Sequence, residues 1–422
     1  MRRPCGAKLD SRARKEGRSF APSLLPLGPC AFRRSQKAKV TLGAEVQNAT
    51  IFAIVEVLLA SKHYPALDGL RGVAALFIVF YHVPWATHFV DTRLVRNGYL
   101  AVDVFFIMSG FVIAANYGDR LRTPQSIREF AVRRFFRLYP LHFAVLMAVF
   151  ALELVKWALR AQGLSDSAPF TGAFTPGLLV VNLLMLQGLG LVRELGWNPP
   201  AWSIGAECVA YAFFAVVAAR GDMRPGRNAL LAICLASGAL VALAAIKQSL
   251  DVNFGWGLVR CLAGFTLGVA IWLYEPGDWP FLPVAATVSG ALAITVMTFA
   301  DGASIILAIP LFVAMVVGLR SGRGLAAQLL SSAPAQFLGK ISFSVYMIHM
   351  TAFYLATGAI KRLIHQSGHP MGRFTLEVAS PWIGDLLFVV VLAAVLSGAA
   401  VTYRLIEAPA RDYGKRIARR FA

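Results

Sequence analysis

The stretch DGLRGVAALFIVFYHVPWATH, residues 68–88, decides the fold of this chain of 422 residues. It is a long apolar run that carries Asp68, Arg71 and His82. The eleven residues from Arg71 to His82 make three helical turns plus about 20°, so these two side chains and Asp68 share one helix face. Arg71 and His82 lie about 16 Å apart along the axis, half of a hydrocarbon core about 30 Å thick. We therefore expect a polar stripe that runs from a membrane edge to the middle of the bilayer.

The stripe predicts where the chemistry of this protein takes place. Charged and titratable side chains at membrane depth are costly, and they are tolerated mainly where they face the interior of a helix bundle or a hydrated cavity. The stripe ends in an imidazole, and an imidazole with an unperturbed pKa of about 6.5 supplies a neutral base near neutral pH.

The composition is that of a membrane protein. Apolar residues make up 57% of the chain, the mean hydropathy is +0.62, and apolar runs alternate with short polar connections. This pattern predicts an all-α polytopic membrane protein. The formal charge of +19 then indicates orientation, because Lys and Arg accumulate in cytoplasmic loops, and we expect no nucleic-acid partner. The five cysteines show no metal-ligand spacing, so we expect no metal site.

Apolar segments mark the candidate membrane spans, and arginine-rich connections orient them. The connections after the second and the fifth segment are both cytoplasmic by charge, so one of the third, fourth and fifth segments cannot cross. Segment 174–190 is the weakest, because it is short, begins at Pro176 and carries Asn182 and Gln187. We predict about ten transmembrane helices, one re-entrant or interfacial segment, and both termini in the cytoplasm. The candidates are 70–88, 99–116, 139–157, 174–190, 202–219, 228–247, 256–274, 281–300, 303–319, 341–360 and 382–403.

The domain organisation is simple. Residues 1–60 are basic, rich in Ser, Pro and Gly, and without a sustained apolar core, so we expect a disordered extension. Residues 62–415 form one predicted membrane domain, and residues 416–422 a basic cytoplasmic tail. We expect the protein to cross the plasma (inner) membrane several times.

Three arginines precede the third apolar segment. Arg134 and Arg137 lie one helical turn apart and can present two guanidinium groups to one polyanion, with Arg133 beside them. The alternative is a positive-inside anchor that contacts lipid phosphates. The sequence leaves both interpretations open.

Two carboxylates lie inside apolar segments. Asp103 either caps a helix at the membrane interface or pairs with a cation of another helix, because buried acids need partners. Glu207 recurs with Ser203 and Tyr211 at i, i+4 and i+8, which puts the three on one helix face. That face is either a hydrogen-bonded staple between helices or part of a functional site.

A similar polar face occurs near the end of the chain. Ser342, Tyr346 and His349 follow one another at steps of four and three residues. His349 is a candidate second titrating group, and the alternative is a hydrogen-bonded packing histidine.

In this order the motifs resemble the acyltransferase-3 family, integral membrane enzymes that O-acylate cell-surface glycans, lipids and secondary metabolites. The resemblance implies functional roles for Arg71, His82, Arg134 and Arg137. Because the chain ends soon after its last apolar segment, we expect it to lack the hydrolase-like domain that some members carry. The landmarks are Asp68-Gly-Leu-Arg71-Gly with His82, Gly98 to Asp103 with Ser109-Gly-Phe111, Arg134-x-x-Arg137 before Tyr139-Pro140, Trp202-Ser203 with Glu207, Leu338 to His349, and Glu407-Ala-Pro409.

A second acyltransferase pattern is discounted. His63 and Asp68 match the H-x4-D spacing of glycerolipid acyltransferases, but Pro65 lies between them and no Pro-Glu-Gly phosphate-binding motif follows. We therefore attribute this match to chance.

The stripe and the resemblance together predict acyl transfer from cytoplasmic acyl-CoA, with acetyl-CoA expected, to a hydroxyl of a carbohydrate-containing acceptor. Arg134 and Arg137, with Arg133, would bind the CoA phosphates. His82 would act as general base or would accept the acyl group transiently, and the sequence does not separate these roles. Arg71 would stabilise the developing oxyanion or the thioester carbonyl.

The remaining predicted residues support that reaction. Asp68 belongs to the catalytic stripe, and Glu207 or Asp103 would orient His82 or the acceptor. We expect a glycan or glycolipid acceptor, contact with membrane lipid, and no permanently bound cofactor; the oligomeric state is open. The alternative is a transporter that exports an acylated or small anionic metabolite along the same polar path. The predicted substrate-binding residues are Trp202, Ser203, Tyr211, Tyr346 and His349.

Overall fold

The computed structural model describes residues 63–164, 167–274, 277, 279–363 and 376–421. These residues are arranged in helices, and the described part of the chain has no β-strand apart from an isolated bridge between Trp85 and Leu376. The predicted all-α fold is confirmed. The expectations for residues 1–60 lie outside the described residues.

The first described helix, α1, spans Pro65–Tyr81. Pro65 occupies its first turn, where the missing N–H costs nothing, and Asp68 lies in the same turn, where the helix dipole favours a negative charge. The helix ends before Pro84, which has no N–H and disfavours helical geometry in the residue before it. The predicted segment 70–88 is therefore wrong at both ends. His82 lies at the C-cap of α1, not in the middle of a longer helix.

The next helices carry the arginine motif. A short helix α2, Arg93–Arg96, leads through a 3-10 turn into α3, Ala101–Tyr117. Helix α4, Pro124–Ala161, has 38 residues and starts at a reciprocal capping box of Thr123 with Ser126. It is about 57 Å long and exceeds the hydrocarbon thickness. The predicted arginine-rich connection is thus the first part of one continuous helix.

The segment predicted not to span forms only a short helix. Helix α5, Pro176–Leu183, has eight residues and is about 12 Å long, too short to cross a bilayer. The chain then turns back along the start of α6, Ala201–Ala219. A Cβ on Gly188 would lie 2.1 Å from the Trp202 carbonyl oxygen, so the glycine permits this close approach.

The described residues of the second half of the chain form eight further helices. A 3-10 turn, Gly302–Leu307, precedes α10, and a π-helical turn, Tyr403–Glu407, joins α13 to α14. The wider turn comes just before Pro409, whose ring clashes with the carbonyl four residues back. The helices are α7 Arg227–Lys247, α8 Gly257–Leu273, α9 Leu282–Phe299, α10 Ala308–Leu319, α11 Leu325–Leu330, α12 Ala333–Leu363, α13 Pro381–Thr402 and α14 Ala408–Ala418.

Among the described residues, 8 helical stretches are long and apolar enough to cross a membrane. Helices α1 and α8, with 17 residues each, fall just below that length. The polytopic membrane fold is confirmed, whereas the count of ten spans and the side of each terminus stay predictions. The stretches are Gly98–Tyr117, Pro124–Ala161, Ala201–Ala219, Arg227–Lys247, Leu282–Phe299, Gly302–Leu319, Ala333–Arg362 and Pro381–Ala418.

Helix α1 lies at the centre of the bundle. Its side chains enter three separate apolar clusters, through Leu70 toward α8 to α10, Ile78 toward α4 and α6, and Val79 toward α12 and α13. Its backbone touches α12, because a Cβ on Gly72 would lie 2.5 Å from the Gly339 nitrogen. Small residues permit such approaches between membrane helices. The polar face of α1 is thereby brought against α12.

Candidate functional site

A cavity of about 200 Å³ lies between α1, α3, α4, α6 and α12. It brings together side chains that are far apart in the sequence, including most of the predicted site residues. Its polar lining consists of His63, Tyr64, Asp68, Arg71, Ser109, Arg134, Arg137, Ser203, Glu207, Tyr211, Ser342 and Tyr346.

The start of α1 contributes a charged pair to the cavity. Arg71 Nη2 donates to Asp68 Oδ1 at 2.6 Å, while His63 Nε2 lies 2.7 Å from the other carboxylate oxygen. The two side chains of the H-x4-D spacing therefore meet, which the interpretation as chance did not anticipate. Arg71 Nε is buried and has no hydrogen-bond partner among the described residues. It is a donor left for a ligand, because buried polar groups are otherwise satisfied.

Arg134 is held by aromatic rings. Its guanidinium carbon lies 5.5 Å from the ring centre of Tyr117, 5.9 Å from Phe130 and 6.0 Å from Tyr211. Cation–π contacts fix a guanidinium without using its N–H groups. Arg134 Nε, like the Nε of Arg71, is buried and unpartnered within the described part of the chain.

Arg137 is held by a carboxylate from near the end of the chain. It forms an ion pair with Glu407, which is 1% exposed and also accepts from Ser344 Oγ at 2.8 Å. Arg411, four residues after Glu407, lies 3.9 Å from the same carboxylate oxygen that Arg137 contacts. The π-helical turn that ends at Glu407 thus presents the carboxylate to α4 and α12. The i,i+4 spacing of residues 407 and 411 does not indicate the pair of Glu407 with Arg137, because these two residues are 270 positions apart in the chain.

Glu207 stands at the centre of a hydroxyl network. Its Oε1 accepts from Tyr211 OH at 2.6 Å and from Ser109 Oγ, and these two hydroxyls are 3.0 Å apart. Glu207 and Tyr211 therefore lie on one face of α6, as the spacing predicts. Ser109 completes it from α3, and sequence spacing within one helix could not have found it.

Asp103 forms a buried ion pair with Arg260 of α8. Arg260 donates to the two carboxylate oxygens at 2.9 and 2.7 Å and to the Tyr99 carbonyl at 3.0 Å. Both side chains of the pair are 1% exposed. Two interpretations of Asp103 were open, a helix cap and an ion pair with another helix. The structure shows the ion pair. The expectation that Asp103 orients His82 is not met, because its carboxylate is directed at Arg260.

Two further predicted residues lie outside the cavity lining. Arg133 pairs with Glu129 one turn earlier on α4, at 2.7 Å. Trp202 is 7% exposed and packs edge-on against Phe106, with ring centres 6.2 Å apart. The indole also fills the space over Gly257. Phosphate binding by Arg133 and substrate binding by Trp202 therefore stay predictions that this arrangement does not favour.

A chain of polar side chains leads from the cavity to His82. Tyr346 lines the cavity and its hydroxyl lies 2.7 Å from Ser203 Oγ. The ring of His349 is 5.9 Å from the Tyr346 ring, and its Nε2 lies 3.3 Å from His82 Nδ1. His82 and His349 are absent from the cavity lining given above. The stripe on α1 thus spans from the cavity, at Arg71, to a histidine pair beyond Tyr346.

Comparisons with known proteins identify the family of the chain. The family model described as an acyltransferase domain matches residues 64–404. The chain is 26% identical over 383 residues to acyltransferase MdmB of Streptomyces mycarofaciens, covering 82% of this chain and 91% of the relative. It is 38% identical over 172 residues to protein 2 in the picA locus of Rhizobium radiobacter, covering 39% of this chain and 86% of the relative.

One relative has a substrate class in its name. The chain is 24% identical over 400 residues to peptidoglycan O-acetyltransferase OatA of Listeria monocytogenes, covering 84% of this chain and 56% of the relative. No solved structure matches. Of the two functions that the sequence left open, the enzyme is confirmed. The chain belongs to the acyltransferase-3 family and is a membrane-bound O-acyltransferase.

Proposed function

We propose that this enzyme moves an acyl group, acetyl in the simplest case, from cytoplasmic acyl-CoA to a hydroxyl of a surface polysaccharide or glycolipid. The observation that carries the proposal is the cavity itself. Three guanidinium groups, from Arg71, Arg134 and Arg137, share it with the carboxylate of Glu207. From that cavity Tyr346 contacts His349, and His349 Nε2 lies 3.3 Å from His82 Nδ1.

The cations fit the phosphates of CoA. Arg134 and Arg137 come from successive turns of α4, and Arg71 faces them from α1. The unpartnered Nε atoms of Arg71 and Arg134 are donors that a phosphate or a carbonyl oxygen would satisfy. Guanidinium groups bind phosphate with a planar fork, which an ammonium group lacks. The two ends of the site then have separate tasks, phosphate binding on α4 and chemistry at the far end of α1.

Tyr346 stands between the two ends. It lines the cavity, bonds to Ser203 and contacts His349, so the thioester reaches His82 when this side chain turns aside. The pantetheine arm is a narrow chain that follows the stripe from Arg71. Tyr346 thus has the position of a gate residue.

The reaction needs one proton transfer and one acyl transfer. His82 Nε2 takes the proton of the acceptor hydroxyl, and the acceptor oxygen attacks the thioester carbonyl carbon. The C–S bond breaks, and the CoA thiolate leaves with the proton returned by the imidazolium. In the covalent variant, His82 Nε2 attacks the thioester first and passes the acyl group to the acceptor in a second step. Both variants use the same nitrogen.

The acceptor class rests on the relatives. The name of the Listeria relative states peptidoglycan as its substrate and acetyl as its group. A carbohydrate acceptor at the outer side of the plasma membrane is the corresponding expectation for this chain.

The test uses purified protein in liposomes with labelled acetyl-CoA and a polysaccharide fragment as acceptor. We expect alkali-labile label on the acceptor, and none with His82→Ala. His88→Ala is the matched control, because His88 is exposed and pairs with Asp385. Full O-acetylation by His82→Ala at equal expression would refute the mechanism. Comparing surface glycans of a deletion strain and its parent by mass spectrometry would name the acyl group.

A further inference from the structure

We infer that His349 is a positioning residue that holds His82 in one tautomer and leaves Nε2 as its reactive nitrogen. The inference rests on the proposed role of His82 and assigns His349 a task other than the substrate binding predicted from sequence. It is based on the contact between two imidazoles, those of His82 at the C-cap of α1 and of His349 in α12, which are 267 residues apart in the chain.

The hydrogen bonds fix the protons on both rings. His82 Nδ1 lies 2.9 Å from the carbonyl oxygen of Ile78, and His349 Nδ1 lies 2.7 Å from that of Tyr346. A carbonyl oxygen only accepts, so each Nδ1 must carry the proton. His349 Nε2 then bears a lone pair, and that lone pair lies 3.3 Å from His82 Nδ1. His82 Nδ1–H is thus shared between two acceptors.

This arrangement favours one chemical role for each ring. With Nδ1 protonated, His82 has its lone pair on Nε2, where a base or an acyl acceptor needs it. When Nε2 takes a proton, the Nδ1–H becomes a stronger donor, and His349 Nε2 stabilises the imidazolium. The carboxylate of a catalytic triad acts on its histidine in the same way. A neutral imidazole performs this task here, without placing a second charge in the bundle.

His349 supplies a buried side-chain acceptor to His82 Nδ1. His349 is 0% exposed and belongs to α12. Tyr81 contacts the His82 ring edge-on at 4.8 Å, and its hydroxyl is engaged with Asp251. Asp103, the sequence-predicted alternative, is bound to Arg260. His349 Nε2 is therefore a side-chain acceptor on His82 Nδ1, beside the backbone carbonyl of Ile78.

The experiment compares His349→Leu with His349→Gln, whose amide oxygen can still accept from His82. We expect His349→Leu to lower kcat about 10- to 100-fold, the effect of one hydrogen bond to a charged group. KM for acetyl-CoA should stay unchanged, the acidic limb of the pH profile should move to lower pH, and His349→Gln should recover part of kcat. His142→Leu is the control, since His142 is equally buried and bonds to Asn182 O at 2.8 Å instead.

The outcomes separate the two proposals. Wild-type kcat in His349→Leu, or a loss that only follows the amount of folded protein with an unchanged pH profile, overturns the inference. If His82→Ala is inactive in the same assay, the proposed function survives that result. If His82→Ala retains full activity, the proposed mechanism at His82 fails, and the inference fails with it.

Discussion

Breaking the Asp103–Arg260 pair should destabilise the protein while leaving the chemistry of the remaining folded molecules intact. Asp103→Asn keeps the size of the side chain and removes its charge. Arg260 would then be a 1%-exposed cation with a neutral partner, held only by the Tyr99 carbonyl and weaker contacts. Removing one partner of a buried ion pair costs about 3–5 kcal/mol. That corresponds to about a 10²- to 10⁴-fold shift in the folding equilibrium.

The assay is unfolding of the detergent-solubilised protein, followed by helical circular dichroism, beside acetyl transfer normalised to folded protein. We expect a large loss of stability and specific activity within about twofold of wild type, because the pair lies outside the cavity lining. The double variant Asp103→Asn with Arg260→Met should be more stable than Asp103→Asn alone, since no unpaired charge remains.

Two results would refute this reasoning. A stable Asp103→Asn protein would mean that Arg260 finds another partner or water at little cost. A stable protein with activity as low as that of His82→Ala would return Asp103 to the catalytic set, where the sequence analysis had placed it.

Three further predictions follow from the same geometry. Arg134→Lys should raise KM for acetyl-CoA about tenfold with kcat nearly unchanged, because a lysine loses the planar fork; an unchanged KM would place the phosphates elsewhere. Tyr346→Phe should raise kcat by several-fold, up to about tenfold, in steady-state assays because it releases the gate from Ser203 of α6, and an unchanged or lower kcat would argue against the gate. Gly72→Ala should reduce folded yield in a detergent stability assay, because its Cβ would meet the backbone of α12 at 2.5 Å, whereas Gly177→Ala meets nothing within 4 Å; equal yields would contradict this.

The helix ends show what local sequence can specify. Pro84 could have located the C-cap at His82, since the restriction that proline places on its predecessor is a local effect. The sequence analysis did not predict that α4 is one continuous helix. A cluster of arginines indicates where the chain leaves the membrane, and it does not indicate where a helix begins or ends. Arginines can belong to a helix that extends beyond the bilayer.

The sequence by itself determined the membrane class, the family, and the residue types on each helix face, because apolar runs and 3.6-residue periodicity are properties of neighbouring residues. Only the tertiary structure decided which faces meet. Asp103 finds Arg260 at a separation of 157 residues, Arg137 finds Glu407 at 270, and His82 finds His349 at 267. Such pairs depend on which helices pack together, and close contacts at small residues such as Gly72 fix that packing through shape rather than through periodic spacing.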